Sequence, residues 1–439
     1  MAEHRVYLAC RIREEFYVLL GLFLMLICFG CVDTHDEIRN DSRNITNNKT
    51  SFIYNATPDS VQAYISSEYN TAINTFAVKL TQSVYSENVN KNLVISPFSV
   101  SRNLSAITAG TSGTAKQELL QALGGQAAID QAANALRDLL NGDNSVILQC
   151  ADALWIDSMR YMLNPIYKTE INKKFGVEIA GLDLQNTIAS SAVINGWIDR
   201  NTNHYVTDIF KPSMIKQNSA IVLVNAIYFE ADWKSPFDIQ KTKREPFNSP
   251  DGTVMVDMMA SDYIFSTYKD SAYHNAKVYY GTSGKDYFYL DIYMPVKGSI
   301  ETFLDSLCQT AIATKNVNLS GALRMPKFFF DSDLDLVPSL KKLGIHEAFN
   351  PFTSDIMGIA TYKDESVTPL YIQSVNHYAK IKTDEEGTKA VAVTNTIMGA
   401  ATCAGGGISP DIVLDKPFVY FIRAGQNGLV LFSGVVNKP

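Results

Sequence analysis

Apolar residues first recur at helical spacing in 59–86, where Ala72, Phe76, Ala77 and Leu80 share one face and predict a helix. Ser96-Pro97-Phe98-Ser99 reads as a strand-to-helix junction, with a helix continuing through Ile107. Two more helices are expected in 113–140. The pattern then changes: Val, Ile, Tyr and Phe crowd into 147–156, 219–230 and 287–294, which predicts strands. Within the second of these, Ile221 to Phe229 is almost unbroken apolar, broken only by Asn225, as expected of a central strand covered on both faces. Two further strands, 418–422 and 429–436, close the chain. Helices first, then a large sheet and terminal strands, indicate an α+β fold.

The first 58 residues follow a different pattern. An uncharged apolar run from Phe16 to Val32 follows His4, Arg5, Arg11 and Arg13. A basic flank before a short apolar core reads as a signal peptide over 1–30. The alternatives are a retained signal anchor, for which the run is slightly short, and lipid attachment at Cys31. Residues 31–58 are polar, without periodicity, and read as a flexible tether. They carry four sequons, at Asn40, Asn44, Asn48 and Asn55, which point to glycosylation in a secretory pathway. Asn318 is a further candidate, while Asn103 falls in a helix expected to be buried. Residues 59–439 show no linker or repeat and read as one domain. Secretion is the expected location, with membrane attachment only if the leader is retained or lipidated.

Of 439 residues, 46% are hydrophobic and 19% charged, and the net charge is -7. That balance gives no reason to expect nucleic acid or an anionic surface as partner. Cys150, Cys308 and Cys403 are too widely spaced to form a disulfide framework, so stability rests on a large core.

Enzyme chemistry finds no support. The six histidines are not spaced as helical metal ligands, and the domain holds no Cys-x-x-Cys pair. Gly281-Thr282-Ser283-Gly284-Lys285 lacks the leading glycine of a phosphate loop, since Tyr279 stands there, and Asp286 follows the lysine. No Gly-x-Ser-x-Gly elbow exists. No catalytic residue, metal or cofactor is expected.

The informative segment is 383–417. Side chains of an extended chain alternate between faces. One face here is Thr388, Ala390, Ala392, Thr394 and Thr396, all small; the other is Lys389, Val391, Val393, Asn395 and Ile397. The small face suits sliding under a layer of helices. Gly387 is placed to act as a hinge, because glycine accepts changes in φ and ψ cheaply. Beyond Gly399 the segment is rich in Ala and Gly and is expected to form an accessible loop.

These residues carry a family resemblance. Glu385-Glu386-Gly387-Thr388 followed by small residues to Thr394 resembles the hinge of the serpins, the serine protease inhibitors. Asn92 to Ser101 resembles that family's helix B opening. Leu223 to Phe229 with Trp233 and Pro236-Phe237 resembles its central strand and following turn, and Ile194, Asn195, Trp197, Ile198 and Thr202 resemble its helix F. The resemblance covers roughly 65–439. It implies three β-sheets with about nine helices and an exposed reactive-centre loop, about 385–410 here.

It also implies suicide inhibition: a protease attacks the loop, forms an acyl-enzyme, and is trapped as the cleaved loop joins the main sheet as a strand. Counting from the hinge as inhibitory members do puts the reactive bond at Ala401–Thr402. Alanine there suits the small pocket of an elastase-like serine protease, and a cysteine protease is the alternative target. Lys327 and Trp233 are expected beside Glu385 at the mouth of the sheet. Ser96, Ser99, Asn225 and His377 match the polar cluster over which the family's central strands part. The alternative function is a non-inhibitory carrier or chaperone, against which the small inward residues argue. No helix carries a basic face, so no polyanion cofactor is expected, and the chain is expected to be a monomer.

Overall fold

The computed structural model describes residues 66–132, 146–216, 218–269, 271–281, 288–310, 320–364, 369–389, 412–425 and 427–439. All fall in the compact unit Tyr54–Pro439.

In chain order, helix α1 (Ser67–Glu87) leads through strand β1 (Leu93–Ile95) into α2 (Pro97–Ala109) and α3 (Gly113–Leu123). Further helical residues, 126–132, follow. Next come β2 (Val146–Asp157), β3 (Tyr161–Leu163), α4 (Pro165–Phe175), β4 (Glu178–Leu182), α5 (Thr187–Asn201) and β5 (Ile221–Asp232). Strands β6 (Lys243–Ser249), β7 (Gly252–Lys269), β8 (Tyr273–Tyr279) and β9 (Phe288–Pro295) lead to α6 (Ile300–Thr310). Then follow β10 (Ser320–Pro326), β11 (Phe328–Asp335), α7 (Val337–Lys342), β12 (Ala360–Tyr362), β13 (Ile372–Thr383) and β14 (Gly387–Lys389). The chain closes with β15 (Ile412–Val413), β16 (Phe418–Ala424) and β17 (Leu429–Val436).

Helix starts follow ordinary capping. Ser66 accepts from the Tyr69 amide at α1, and Ser96 from the Ser99 amide at α2, where Pro97 supplies a preset first turn. Among the described residues the strands form three sheets. One runs β1-β17-β16-β9-β8-β7-β10-β15 with β6 on β7; the second runs β11-β13-β14-β5-β2-β4; the third is β12 with β3. The expected α+β fold is what the chain forms, and its described strands fall into three sheets.

The second sheet carries the site. Residues Ile221 to Phe229 of β5 are all buried, and their alternation serves two cores. Ile221, Leu223, Ile227 and Phe229 pack into the main core with α1 and α2. Val222, Val224 and Ala226 pack under α5 with Ile194, Trp197 and Ile198. Trp155 of β2 meets Trp197 edge-to-face at 5.7 Å, fixing α5 on the sheet. A strand wedged between two cores needs apolar residues at every position, which is why its sequence lacks the period of two. Asn225 alternates with Leu223 and Ile227 and so points toward α2, the one polar side chain in that row.

Candidate functional site

The second sheet is parted at one end only. Over its lower length β13 pairs directly with β5, in parallel register from Ile372↔Ile221 through His377↔Asn225 to Ala379↔Ile227. At its upper end β14 sits between them. Thr383 pairs with Thr388 on one side, and Thr388 with Ala231 on the other.

A dense set of bonds fixes that wedge. The tight turn from β13 to β14 is closed by the Asp384 amide donating to the Gly387 carbonyl at 3.0 Å. The Trp233 indole N–H donates to the Asp384 carbonyl at 2.8 Å, and its backbone amide to the Glu386 carbonyl at 2.8 Å. The Glu385 carboxylate is held by the Lys327 ammonium at 2.7 Å and the Thr242 hydroxyl at 2.7 Å. Tyr280 stacks on Trp233 with centroids 4.5 Å apart, and its hydroxyl meets that of Thr388 at 2.7 Å. The expected grouping of Trp233, Lys327 and Glu385 is therefore present as geometry. Thr242 and Tyr280, which complete it, carry no local sequence signal.

Gly387 is required for a different reason than its hinge-like place in the sequence suggests. Its φ is not positive. A Cβ there would overlap the backbone of Ala231 and Asp232, so glycine is demanded by close approach of β5 and not by backbone freedom.

Below the wedge lies a buried polar chain with a single direction. The Ser96 amide donates to Nε2 of His377 at 3.0 Å. A backbone amide has only a proton to give, so Nε2 is bare and Nδ1 carries the proton, donated to Oδ1 of Asn225. The Asn225 amide group then donates to Oγ of Ser99 and Oδ1 of Asp152. Ser99 Oγ donates to Oδ1 of Asp152 at 2.6 Å, and Arg102 Nη1 to its Oδ2 at 2.6 Å. Arg102 Nη2 donates on to the carbonyl of Phe175 at the end of α4.

Ser96, Ser99, Asn225 and His377 are thus brought together, and all are fully buried. Burial holds His377 neutral, lowering its pKa from 6.5 to about 3. Burial also pushes the Asp152 carboxyl upward. Three donors aim at its oxygens and none accepts from it, so the site fits the carboxylate.

Arg102 and Asp152 complete the cluster without having been expected there. The available signal was the one charge of α2 and an aspartate inside the largely apolar β2, with Arg102 three residues after Ser99 on the same helix face. Ala390, Ala392, Thr394, Ala401 and Thr402 lie outside the described residues, as do Asn40, Asn44, Asn48, Asn55 and Asn318. Among the described residues no group of His, Cys, Asp and Glu is arranged to hold a metal. Likewise, none of their helices is long and apolar enough to cross a membrane.

The serpin (serine protease inhibitor) family model matches residues 71–439, and the chain belongs to that family. Serpin-Z10 of Arabidopsis thaliana is 29% identical over 388 residues, covering 83% of this chain and 97% of its own. The leukocyte elastase inhibitor of Sus scrofa is 28% identical over 394 residues, covering 85% and 100%. The solved structure of Serpin48 from the insect Tenebrio molitor superposes with a TM-score of 0.72 at 22% identity, covering 85% of this chain and 99% of that one, a likeness of fold. Serpins are in general inhibitors of serine proteases rather than catalysts.

Proposed function

We infer that this chain inhibits an elastase-like serine endopeptidase by covalent trapping, with residues 390–398 following β14 into the second sheet as a strand after cleavage. The observation that carries the reading is the wedge itself: β14 already lies between β13 and β5 and fixes a register on both. Continuing that antiparallel register sets residue 394 against His377 on one side and Asn225 on the other. Those two residues are paired with each other in the closed sheet, so two independent strand pairings agree on where the new strand would lie. The same count sets residue 398 against Ile221, the first residue of β5. A cleaved end at Ala401 would then hang just past the foot of the sheet, as trapping of an acyl-linked protease requires.

The inward-facing series Thr388, Ala390, Ala392 and Thr394 is small enough to pass beneath the buried face. Elastase-like specificity rests on Ala401 and on the likeness to a leukocyte elastase inhibitor. Extracellular location is part of the same proposal. It rests on the apolar run 16–32 and the sequons behind it.

The test is incubation of the protein with an elastase, then denaturing electrophoresis and mass spectrometry. A covalent band at the summed mass, with cleavage after Ala401, is expected. Cleavage there with no complex would overturn trapping and favour the non-inhibitory reading. A complex with a papain-like enzyme alone would overturn the serine-protease assignment.

A further inference from the structure

The proposed strand has two neighbours, and its register against them is fixed by different means. On the β13 side the chain itself fixes it, through the short turn that the Asp384 amide and Gly387 carbonyl close. Against β5 no chain connection does so. The Trp233 bonds reach backbone carbonyls, which every register offers, and Tyr280 adds one neutral bond to Thr388. The inward residues Thr388, Ala390, Ala392 and Thr394 are all small, so a slip of two residues along β5 would exchange one for another and keep the same face inward. It would also move the cleaved end by about 7 Å relative to the foot of β5, and with it the tethered protease. The outward face differs in carrying charge. Lys389 is set opposite Lys382 of β13 and, one step beyond the pair Thr388↔Ala231, opposite Glu230 of β5. Residues so opposed share a face, with Cβ atoms about 5 Å apart.

We propose that Glu230 is a positioning residue, which pairs with Lys389 and locks the register of the entering strand against β5. The two lysines of the row do not compete for one partner. The Lys382 ammonium is taken by Asp384 at 2.9 Å, beside the β13–β14 turn. The Glu230 carboxylate accepts from the Tyr228 hydroxyl on the same face, and among the described residues no cation is bonded to it. Tyr228 is itself stacked on Tyr205 with centroids 4.0 Å apart, so the group that orients the carboxylate is fixed. On the far side of β5, β2 sets the apolar Ile147 opposite Glu230 and brings no charge. The row then holds two opposite-charge pairs, Asp384 with Lys382 and Glu230 with Lys389. A slip of two residues would put Gly387 or Val391 opposite Glu230 instead. Residues 390–401 carry no charge, so no deeper register restores the pair.

This inference rests on the insertion reading above, and its test separates the two. The full chain and its variants are incubated with an elastase, and the ratio of covalent complex to released, cleaved inhibitor is read by denaturing electrophoresis. Glu230→Lys lines up three lysines and is expected to lower that ratio about fivefold. Glu230→Gln, which keeps the shape and removes the charge, is expected to lower it about twofold. Adding Lys389→Glu to the Glu230→Lys chain is expected to restore the parental ratio, whereas Lys389→Glu in the parent is expected not to raise it. The same effect of Lys389→Glu in both backgrounds would show the two residues to be uncoupled, overturning the lock while leaving insertion standing. A parental ratio for Glu230→Lys would overturn it as well. No complex from the parent itself would overturn the insertion reading and the lock together.

Discussion

The two ends of the seam between β13 and β5 are built on opposite principles. At the upper end β14 has already parted the strands. The groups holding it there, Lys327, Glu385, Thr242 and Asp384, include partly exposed charges, and half the bonds are made by backbone. In the middle the strands are closed over a buried cluster, where each bond depends on a particular side chain and three of them meet on the Asp152 carboxylate. Bonds near water exchange partners cheaply, and buried ones do not. On the proposed insertion reading, the upper end would set where the strand begins, and the middle what it must displace.

The sharpest way to break this contrast is to put a charge where the wedge must be small. Thr388 is buried against Tyr280 and Thr383. Thr388→Arg should leave cleavage by the target protease intact and nearly abolish the covalent complex. An unpaired buried charge costs about 3–5 kcal/mol, which is more than a hundredfold in the trapping rate. Denaturing electrophoresis would show cleaved inhibitor only; a complex band of parental intensity would mean that the wedge does not lead insertion.

A smaller effect tests the middle by pH. The folded pKa of His377 is depressed to about 3 from 6.5 by burial, even with Asp333 lining the same small cavity and Asp152 beyond Asn225. Protonation thus favours the unfolded chain. The stability from a neutral His377 is complete above about pH 6.5 and is lost as pH falls toward 3, at about 1.4 kcal/mol per unit. Urea midpoints between about pH 7 and 4.5 should fall more steeply for the parent than for His377→Gln. Parallel slopes would show that the imidazole is not the group responsible.

The smallest effect belongs to the mouth. Lys327 is a third exposed, so Lys327→Met should lower stability by about 1 kcal/mol or less, and the difference should shrink in high salt. A larger, salt-independent loss would mean that the mouth is held as firmly as the middle.

Most of the architecture was legible along the chain. The unbroken apolar run of β5, the Pro97 junction and the alternating small residues after Gly387 are all local patterns, and local patterns report which face of an element is covered. The Lys327–Glu385 grouping and the Ser96–Ser99–Asn225–His377 cluster were reached only through the family resemblance. Nothing local ties His377 to Asn225, 152 residues apart. Arg102 and Asp152 escaped even that route, although a charge set inside each of two largely apolar elements is the mark of a buried pair.

The sequence by itself determined the fold class, the doubly covered central strand and the small-residue face of the loop, because periodicity and side-chain volume are properties of neighbouring residues. Only the tertiary structure decided that β14 stands between β13 and β5, that Gly387 is needed to clear Ala231, and that α2 meets β13 through Ser96 and β5 and β2 through Ser99 and Arg102. Each of these depends on register between strands and helices distant in the chain, and register is settled by packing in three dimensions.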